Sequence, residues 1–431
     1  MKEVKKFVYI ALVAGGMLGS FISCDYLDVS KELSENLTLE QVFNNPGYTK
    51  RWQANIYNCI PNYSEMGKEA TTGFTGIWNL MSGQVVANTT AVGTQMLTGF
   101  NSSNASFHRW ATLYKYIRQG FIFLDNAKDY MGSEQDVSYI SKKDMDRLKA
   151  ETKFLIAYSY FSLFELYGPV PLITEIEDPE NKTIDYPRAS VDEIVNYIDR
   201  LLQEVLDSNA LPETLFTESA SGSLDYEHNN DRYNLKEIVR PTKVTVLALR
   251  AKLWVYAASP LFNGGYGEAL QLTNKDGKHL FPDEDKTKWN TAKTHLETLF
   301  TFAEAKGHKL YYSKPGSNGL PDPNLSVYEL FQYYNDEILW ANGNNSYRIV
   351  GNDMERRTCP RGANGFCNIG LYQEGVDAFF TKNGLTIEED PEYNEDGFGN
   401  LTNVCSSTLH NDKHIFNMYH NREPRFYNTT E

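Results

Sequence analysis

The fold is decided by a stretch in the first half of the chain, where residues 150–172 read AETKFLIAYSYFSLFELYGPVPL. With the residues just before it, this stretch predicts one helix from Asp144 to Tyr167, because its large apolar side chains fall near a single stripe at helical spacing. Ala150 and Ala157 are small enough to let a neighbouring helix approach closely. Gly168-Pro169 predicts the end of the helix. The stripe consists of Leu148, Leu155, Tyr158, Phe161 and Phe164.

Four further helices are predicted from similar patterns. Ser190 and Glu193 fit a capping box, in which each side chain bonds a free backbone N–H at the start of a helix. Pro241 opens another helix, as proline is well tolerated there. Paired helices of comparable length predict a mostly α fold with a tetratricopeptide-like scaffold at about 30–60, 108–210 and 240–306. The four helices are Trp110 to Tyr130, Ser190 to about Asn209, Thr242 to Ser259 and Lys288 to Lys306.

Two long segments do not fit this scaffold. Residues 60–107 are rich in Gly, Thr, Ser and Asn, and residues 308–431 are rich in Tyr, Asn, Gly and Pro. Irregular segments carried on a rigid scaffold are common sites of recognition, so we predict that these two form the ligand face. The alternative is that they only decorate the scaffold. Residues 213–239 are polar and lack a sustained period, which predicts a surface excursion.

The N-terminus has the layout of a lipoprotein signal peptide over residues 1–23. Three lysines precede an apolar run from Phe7 to Ile22, and Ser23 and Cys24 follow it. This pattern predicts that Cys24 becomes the acylated first residue of an exported, membrane-anchored protein. An ordinary cleaved signal with an incidental cysteine remains the alternative. The run is short for a spanning helix and contains three glycines, which disfavours a permanent transmembrane anchor.

Composition narrows the possible partners and chemistry. The 431 residues include 41 Lys and Arg against 56 Asp and Glu, a net charge of -15, which disfavours nucleic acid as a partner. The 28 Tyr, 23 Phe and 6 Trp are more than a helical core needs, which suggests carbohydrate stacking. No metal or other cofactor is predicted, because Cys405, His410 and His414 lack a Cys-x-x-Cys partner. Export makes a disulfide between Cys359 and Cys367 plausible, but the pairing among these, Cys59 and Cys405 stays open.

Several motifs together resemble those of the SusD/RagB family, outer-membrane lipoproteins that bind glycans beside a TonB-dependent transporter. Cys24-Asp25-Tyr26-Leu27-Asp28 is similar to the family's mature start, and residues 150–172 resemble its most recognisable helix and exit. Arg422-Glu423-Pro424-Arg425-Phe426-Tyr427 resembles the family's DPRFY-like element, with Glu423 in place of the usual Asp. Further similar landmarks are Pro187-Arg188-Ala189-Ser190, Thr242-Lys243 and Asn335-Asp336-Glu337-Ile338.

The resemblance implies a single SusD-like domain over residues 24–431 and a surface-exposed protein without catalytic activity. Such a protein would capture oligosaccharides and deliver them to a SusC-like transporter in the outer membrane. Family members normally continue well past the element ending at Tyr427, so we expect that the usual C-terminal portion is lacking. The alternatives are a lipid-anchored glycoside hydrolase and a structural or peptide-handling lid for the transporter. Neither the glycan nor calcium binding can be assigned at this stage.

Candidate ligand residues are aromatic side chains beside amides or arginine, since sugars are held by ring stacking and by hydrogen bonds to their hydroxyls. Trp78 and Asn79 lie in a Gly- and Thr-rich loop, and Tyr266 lies in the sequence Asn-Gly-Gly-Tyr-Gly. A second cluster follows the Glu337-Ile338 landmark. Four tryptophans are assigned to the scaffold instead, namely Trp52, Trp110, Trp254 and Trp289. The second cluster consists of Trp340, Asn342, Asn344 and Arg348.

Overall fold

The computed structural model describes most of the chain from residue 37 onward. The described residues are 37–61, 78, 81–87, 109–176, 185–217, 232–316, 318–343, 358–367, 369–399 and 415–430. Within them the chain forms ten α-helices and four short strands. The predicted signal peptide and Cys24 lie outside the described residues. None of the helices in the described part is both long and apolar enough to cross a bilayer.

The five longest helices after residue 100 follow the predicted pattern closely. The structure begins and ends each one within about one turn of its predicted limits. The helices are α1 Leu39–Phe43, α2 Pro46–Ile56, α3 Trp110–Asn126, α4 Lys142–Tyr167, α5 Val191–Asp207, α6 Lys243–Ala258, α7 Thr287–Ala305, α8 Pro323–Leu330, α9 Gln373–Asp377 and α10 Pro424–Thr430.

A side-chain cap and a glycine set the two ends of helix α4. The Ser141 side chain accepts a hydrogen bond from the backbone N–H of Asp144 and so caps the first turn. Gly168 ends the helix with φ of 63°, a conformation that glycine adopts without steric cost. Helix α5 shows the predicted capping box, with Ser190 and Glu193 each bonded to the other's backbone.

Helices α3 to α7 form an antiparallel array in which each helix packs against the next one in sequence. The ring centroids of Trp110 and Tyr167 are 5.3 Å apart, and those of Tyr160 and Tyr197 are 5.4 Å apart. These contacts join the start of α3 to the end of α4, and the second half of α4 to α5. One hydrophobic core runs from α1 to α6, and a smaller cluster joins α6 to α7. The mostly α, tetratricopeptide-like fold is therefore confirmed.

A buried ion network ties α2 and α4 to the segment before α6. The Glu151 side chain is 0% exposed and accepts hydrogen bonds from Arg147 Nε at 3.0 Å and Arg240 Nε at 2.8 Å. The Tyr57 hydroxyl donates to the same carboxylate at 2.9 Å. Burial is the main reason why the pKa of Tyr57 lies well above its usual value, so Tyr57 stays neutral and donates. Glu237 pairs with both arginines at the outer edge.

Two expectations about burial differ from the structure in the described residues. The described ends of segment 213–239 fold inward, since Leu215 and Tyr233 are 6% and 1% exposed. The reason is a second ion pair, because Arg232 Nη2 lies 2.8 Å from the buried Asp336 carboxylate and the Tyr233 hydroxyl also donates to it. Trp289 is 48% exposed, because α7 packs on α6 through Leu296, Leu299 and Ala303 and leaves the tryptophan outside. The other three scaffold tryptophans are buried or packed against the core.

The four short strands lie mostly in the second half of the chain. Strand β1, Val85–Ala87, pairs with β2, Ile369–Leu371, and β3, Phe398–Gly399, pairs with β4, Ile415–Phe416. Both pairs are antiparallel. The first pair has particular importance because it joins the two segments that sequence composition assigns to the ligand face.

Candidate functional site

The first predicted cluster lies beside strand β1. Trp78 is half-buried, and Asn79 lies outside the described residues. Residues 82 and 83 form a turn that leads into β1, whose Val85 pairs with Leu371. The Tyr372 backbone N–H also donates to the Gln84 carbonyl at 3.0 Å. The segment that carries Trp78 is thus joined to the C-terminal irregular segment.

The second predicted cluster begins inside the scaffold. The Trp340 ring makes edge-on contacts with Phe154 and Tyr158 of α4, at centroid distances of 5.5 and 5.4 Å. Its indole N–H donates to the Val239 carbonyl at 2.8 Å. Only the accessible part of the Trp340 ring could therefore contact a sugar. Asn342 is exposed, whereas Asn344 and Arg348 lie outside the described residues.

Tyr266 is separated from this cluster by the length of a helix. It is 47% exposed, and its hydroxyl donates to Glu268 at 2.7 Å. Trp340 lies beside the start of α6, while Tyr266 follows its end, and the 16 residues of α6 span roughly 24 Å. The structure therefore does not bring Tyr266 and Trp340 to one pocket. Their roles as ligand contacts stay predictions.

A buried arginine that sequence reasoning missed organises the C-terminal segment. Arg422 is 3% exposed and its Nη2 donates to the carbonyls of Val376 at 2.9 Å and Phe379 at 2.7 Å. The cation thus satisfies carbonyl groups at and just beyond the C-terminal end of α9, where positive charge is favourable. Its guanidinium also lies over the rings of Tyr393 and Phe426. The arginine links α9, which follows β2, to the start of α10.

A polar cavity of about 170 Å³ lies beside this arginine. Its walls are joined by the antiparallel bridge between Thr381 and Arg422 and by the hydrogen bond from the Lys382 N–H to the Asn421 carbonyl at 2.7 Å. Amides, carboxylates, a histidine and a tyrosine converge here, which is the set of groups that binds sugar hydroxyls. The lining residues are Thr381, Lys382, Asp390, Glu392, Tyr393, Asn394, Asn417, His420 and Asn421.

The two carboxylates of the cavity are held in their charged form. Hydrogen bonds from the Thr381 side chain and the Glu392 backbone lower the pKa of Asp390. Hydrogen bonds from Asn383 and Lys382 lower the pKa of Glu392. The Asn383 amide donates to both carboxylates, at 3.1 and 3.3 Å. Asp390 and Glu392 therefore act as hydrogen-bond acceptors near neutral pH.

Two residues that line the cavity each carry a buried polar atom with no hydrogen-bond partner among the described residues. These atoms are the hydroxyl of Tyr393 and Nε2 of His420. Most buried polar groups in proteins are paired, and an unpaired one costs roughly 1–3 kcal/mol. A ligand or water that supplied the missing hydrogen bonds would therefore be favoured at this cavity. The sequence carries no signal for the pair, since Tyr393 and His420 are far apart in an irregular segment.

A larger and more open groove lies at the start of α5, with a volume of about 550 Å³. Its charged side chains are already engaged. Lys278 pairs with Glu193 at 2.5 Å, and Arg200 pairs with Glu204 at 2.8 Å. The groove therefore offers fewer groups for a new ligand than the polar cavity does.

The polar cavity also lacks an evident metal site. No group of three or more His, Cys, Asp or Glu side chains in the described part of the chain is placed to hold a metal ion.

Comparison with protein families gives one match, over residues 25–223, to the SusD-like family described as "Starch-binding associating with outer membrane". The match covers the lipoprotein-like start at Asp25, the hallmark helix α4 and the capped helix α5. No curated protein matches the sequence.

Solved structures with the same fold include several SusD-like proteins. BT4246 is 22% identical, with a TM-score of 0.63 over 88% of this chain and 64% of its own. The SusD-like protein BF3747 from Bacteroides fragilis is 17% identical, with a TM-score of 0.55 over 92% of this chain and 62% of its own. A SusD-like carbohydrate-binding protein from the same species, BF0978, is 15% identical, with a TM-score of 0.51 over 90% and 60%. The chain thus spans less than two thirds of the length of these proteins.

Proposed function

Because residues 25–223 match the SusD-like family model, we propose that the chain is a non-catalytic lipoprotein of the SusD/RagB type that captures oligosaccharides at the outer membrane. We further propose that Cys24 carries the lipid, that residues 24–431 act as one SusD-like unit exposed at the cell surface, and that captured sugar passes to a TonB-dependent transporter of the SusC type. The family match and the signal-like N-terminus support this assignment.

The observation that carries the proposal is the polar cavity with its two unpartnered buried atoms, Tyr393 Oη and His420 Nε2. A sugar hydroxyl both donates and accepts hydrogen bonds, so a single sugar ring can satisfy a tyrosine hydroxyl, an imidazole nitrogen and a carboxylate together. The strand pair β1–β2 attaches the Trp78 segment to the same part of the chain. Trp78 therefore remains a candidate stacking residue for a ligand that extends beyond the cavity.

The charge state of the cavity supports binding over cleavage. A glycoside hydrolase needs one carboxylic acid whose pKa is raised, so that it can protonate the leaving oxygen. The pKa values of Asp390 and Glu392 are both lowered instead. Lys382 pairs with only one of these two carboxylates, Glu392, at 3.3 Å. The side chains that line the cavity carry two negative charges and one positive charge, and the Arg422 cation lies over the Tyr393 ring, so we expect neutral glycans to bind at least as well as those that carry carboxylate or sulfate groups.

The test is a binding titration of the purified protein against neutral and acidic oligosaccharides, by calorimetry, with matched variants. Tyr393→Phe removes only the unpartnered hydroxyl. We expect it to preserve or raise stability, because the removed hydroxyl is buried without a partner, and to weaken the binding of a neutral glycan about 2- to 10-fold, which is the usual contribution of one hydrogen bond. Tyr130→Phe is the control, because Tyr130 is 62% exposed and lies outside the cavity.

Three results would contradict the proposal. If Tyr393→Phe and the unchanged protein bind the glycan with equal affinity, the cavity is not part of the binding site. Release of reducing ends from the oligosaccharide would favour a hydrolase. The absence of glycan binding together with stable copurification with a transporter would favour a structural lid. Trp78→Ala, Tyr266→Ala and Trp340→Ala, measured in the same titration, decide which of the three aromatic residues contacts the ligand.

A further inference from the structure

The loop between Cys359 and Cys367 is folded so that its two ends meet. The Cys367 backbone N–H donates to the Cys359 carbonyl at 3.1 Å, although seven residues lie between the two positions. Residues Arg361–Ala363 form a single 3-10 turn, and the Gly365 N–H donates to the Pro360 carbonyl at 3.0 Å. The loop thus has its own hydrogen-bonded framework.

Gly365 is required for this closure. A Cβ atom at position 365 would lie 2.0 Å from the Cys359 carbonyl oxygen and 2.6 Å from the Cys359 Cβ. No other residue type allows the backbone of Gly365 to lie against Cys359 in this way. Asn364 and Cys367 also adopt positive φ, at 62° and 50°, which turns the chain back on itself. The local sequence therefore specifies a loop that holds its two cysteines side by side.

The geometry points to a disulfide between Cys359 and Cys367 in the exported protein, and we propose this pair as a modification site. The single backbone hydrogen bond from Cys367 to Cys359 limits the separation of the two Cα atoms to at most about 7 Å. Disulfides are formed over Cα separations of about 4.4–6.8 Å. The two thiols are free in the structure, with Cys359 partly buried and Cys367 exposed, so an oxidant can reach the exposed sulfur first.

The reaction is thiol–disulfide exchange. The Cys367 thiolate attacks a disulfide of the oxidant, such as glutathione disulfide or an exported dithiol oxidoreductase, and one thiolate leaves. The Cys359 thiolate then attacks Cys367 Sγ in the mixed disulfide, and the second thiolate of the oxidant leaves. The protein loses two electrons and two protons, and the oxidant is reduced to two thiols. No movement of the scaffold is needed, since both sulfurs belong to one loop.

The product would fix the segment that leads into the ligand face. Strand β2 begins at Ile369, two residues after Cys367, and pairs with β1 beside the Trp78 segment. Phe366, which is 40% exposed, lies inside the closed loop. The disulfide would therefore hold the approach to β2 in one conformation.

The test is peptide mapping of the purified protein after equilibration in a glutathione redox buffer, followed by alkylation of free thiols. Trypsin cleaves after Arg357, Arg361 and Lys382, so the disulfide joins the peptide of residues 358–361 to that of residues 362–382. We expect this linked species to account for most of both peptides and to vanish after reduction. Cys59 is the internal control, because burial raises the pKa of its thiol to about 12 and should keep it unmodified in the folded protein.

Matched variants decide the outcome. Cys405→Ser should leave the linked species unchanged, whereas Cys359→Ser should abolish it and leave Cys367 as a glutathione mixed disulfide. The proposal is overturned if Cys367 links mainly to Cys405, or if both loop thiols remain alkylated in a buffer that oxidises a control dithiol. Because the reaction is carried out on purified protein, neither result depends on glycan binding or on lipid anchoring.

Discussion

The buried carboxylate of Glu151 should contribute more to stability than any surface ion pair of the scaffold. Glu151→Gln keeps the size of the side chain and removes its charge, so it opens no cavity. The change leaves Arg147 and Arg240 without their buried partner, and the loss of one member of a buried pair costs about 3–5 kcal/mol. Glu237 still lies 2.9 Å from Arg147 and 2.6 Å from Arg240. We therefore expect the lower end of that range, a loss of about 3 kcal/mol in the free energy of unfolding.

Urea unfolding followed by circular dichroism measures this loss, provided that the slope of the transition is the same in both proteins. Glu204→Gln is the matched control. Glu204 also faces two cations, Lys153 and Arg200, each at 2.8 Å, but its side chain is 36% exposed. Exposed pairs are worth about 0–1 kcal/mol. If Glu151→Gln costs no more than Glu204→Gln, burial is not what makes this network strong and the reasoning fails.

Three further predictions concern burial, charge and the lipid anchor. Trp52→Ala should destabilise the protein by about 3–5 kcal/mol in urea unfolding, because Trp52 is 2% exposed, whereas Trp289→Ala should change stability by no more than about 0.5 kcal/mol. The stability contributed by Asp390 and Glu392, whose pKa values are lowered on folding, is complete above about pH 5 and is lost as the pH falls through their folded pKa values. Thermal melting over this range should fall less steeply in an Asp390→Asn, Glu392→Gln double variant; an equal slope would contradict the assignment. Cys24→Ala should move the protein from the membrane to the soluble fraction without loss of sugar binding.

The helical scaffold could be predicted from sequence because its signals are local and regular. The stripe on α4, the capping box at Ser190 and the stop at Gly168 each act within a few residues. Trp289 shows the limit of such reasoning, since helical position alone does not tell which face meets a neighbour. The burial of Tyr233 could not be predicted from the local sequence either, because its hydrogen-bond partner Asp336 lies 103 residues away in the chain.

The candidate cavity was harder to predict, because its residues are joined by contacts between irregular segments. Asp390, Tyr393 and His420 have no periodic pattern, and their proximity depends on the bridge between Thr381 and Arg422. The prediction that residues 60–107 and 308–431 form one face draws support from the β1–β2 pair, which joins them. The individual aromatic residues chosen from composition are more scattered, with Tyr266 and Trp340 at opposite ends of α6.

The element at residues 422–427 lies beside the candidate cavity but contributes no residue to its lining. Arg422 directs its guanidinium to backbone carbonyls, and Phe426 is 3% exposed against Phe379 and Tyr419. These contacts do not depend on any ligand, so they fix the position of the neighbouring Asn421 and His420. The side chains that face the cavity can then vary while the backbone stays in place. Ligand choice in this chain should therefore be altered by changes at Tyr393, Asn394 or His420, whereas changes at Arg422 should first reduce stability.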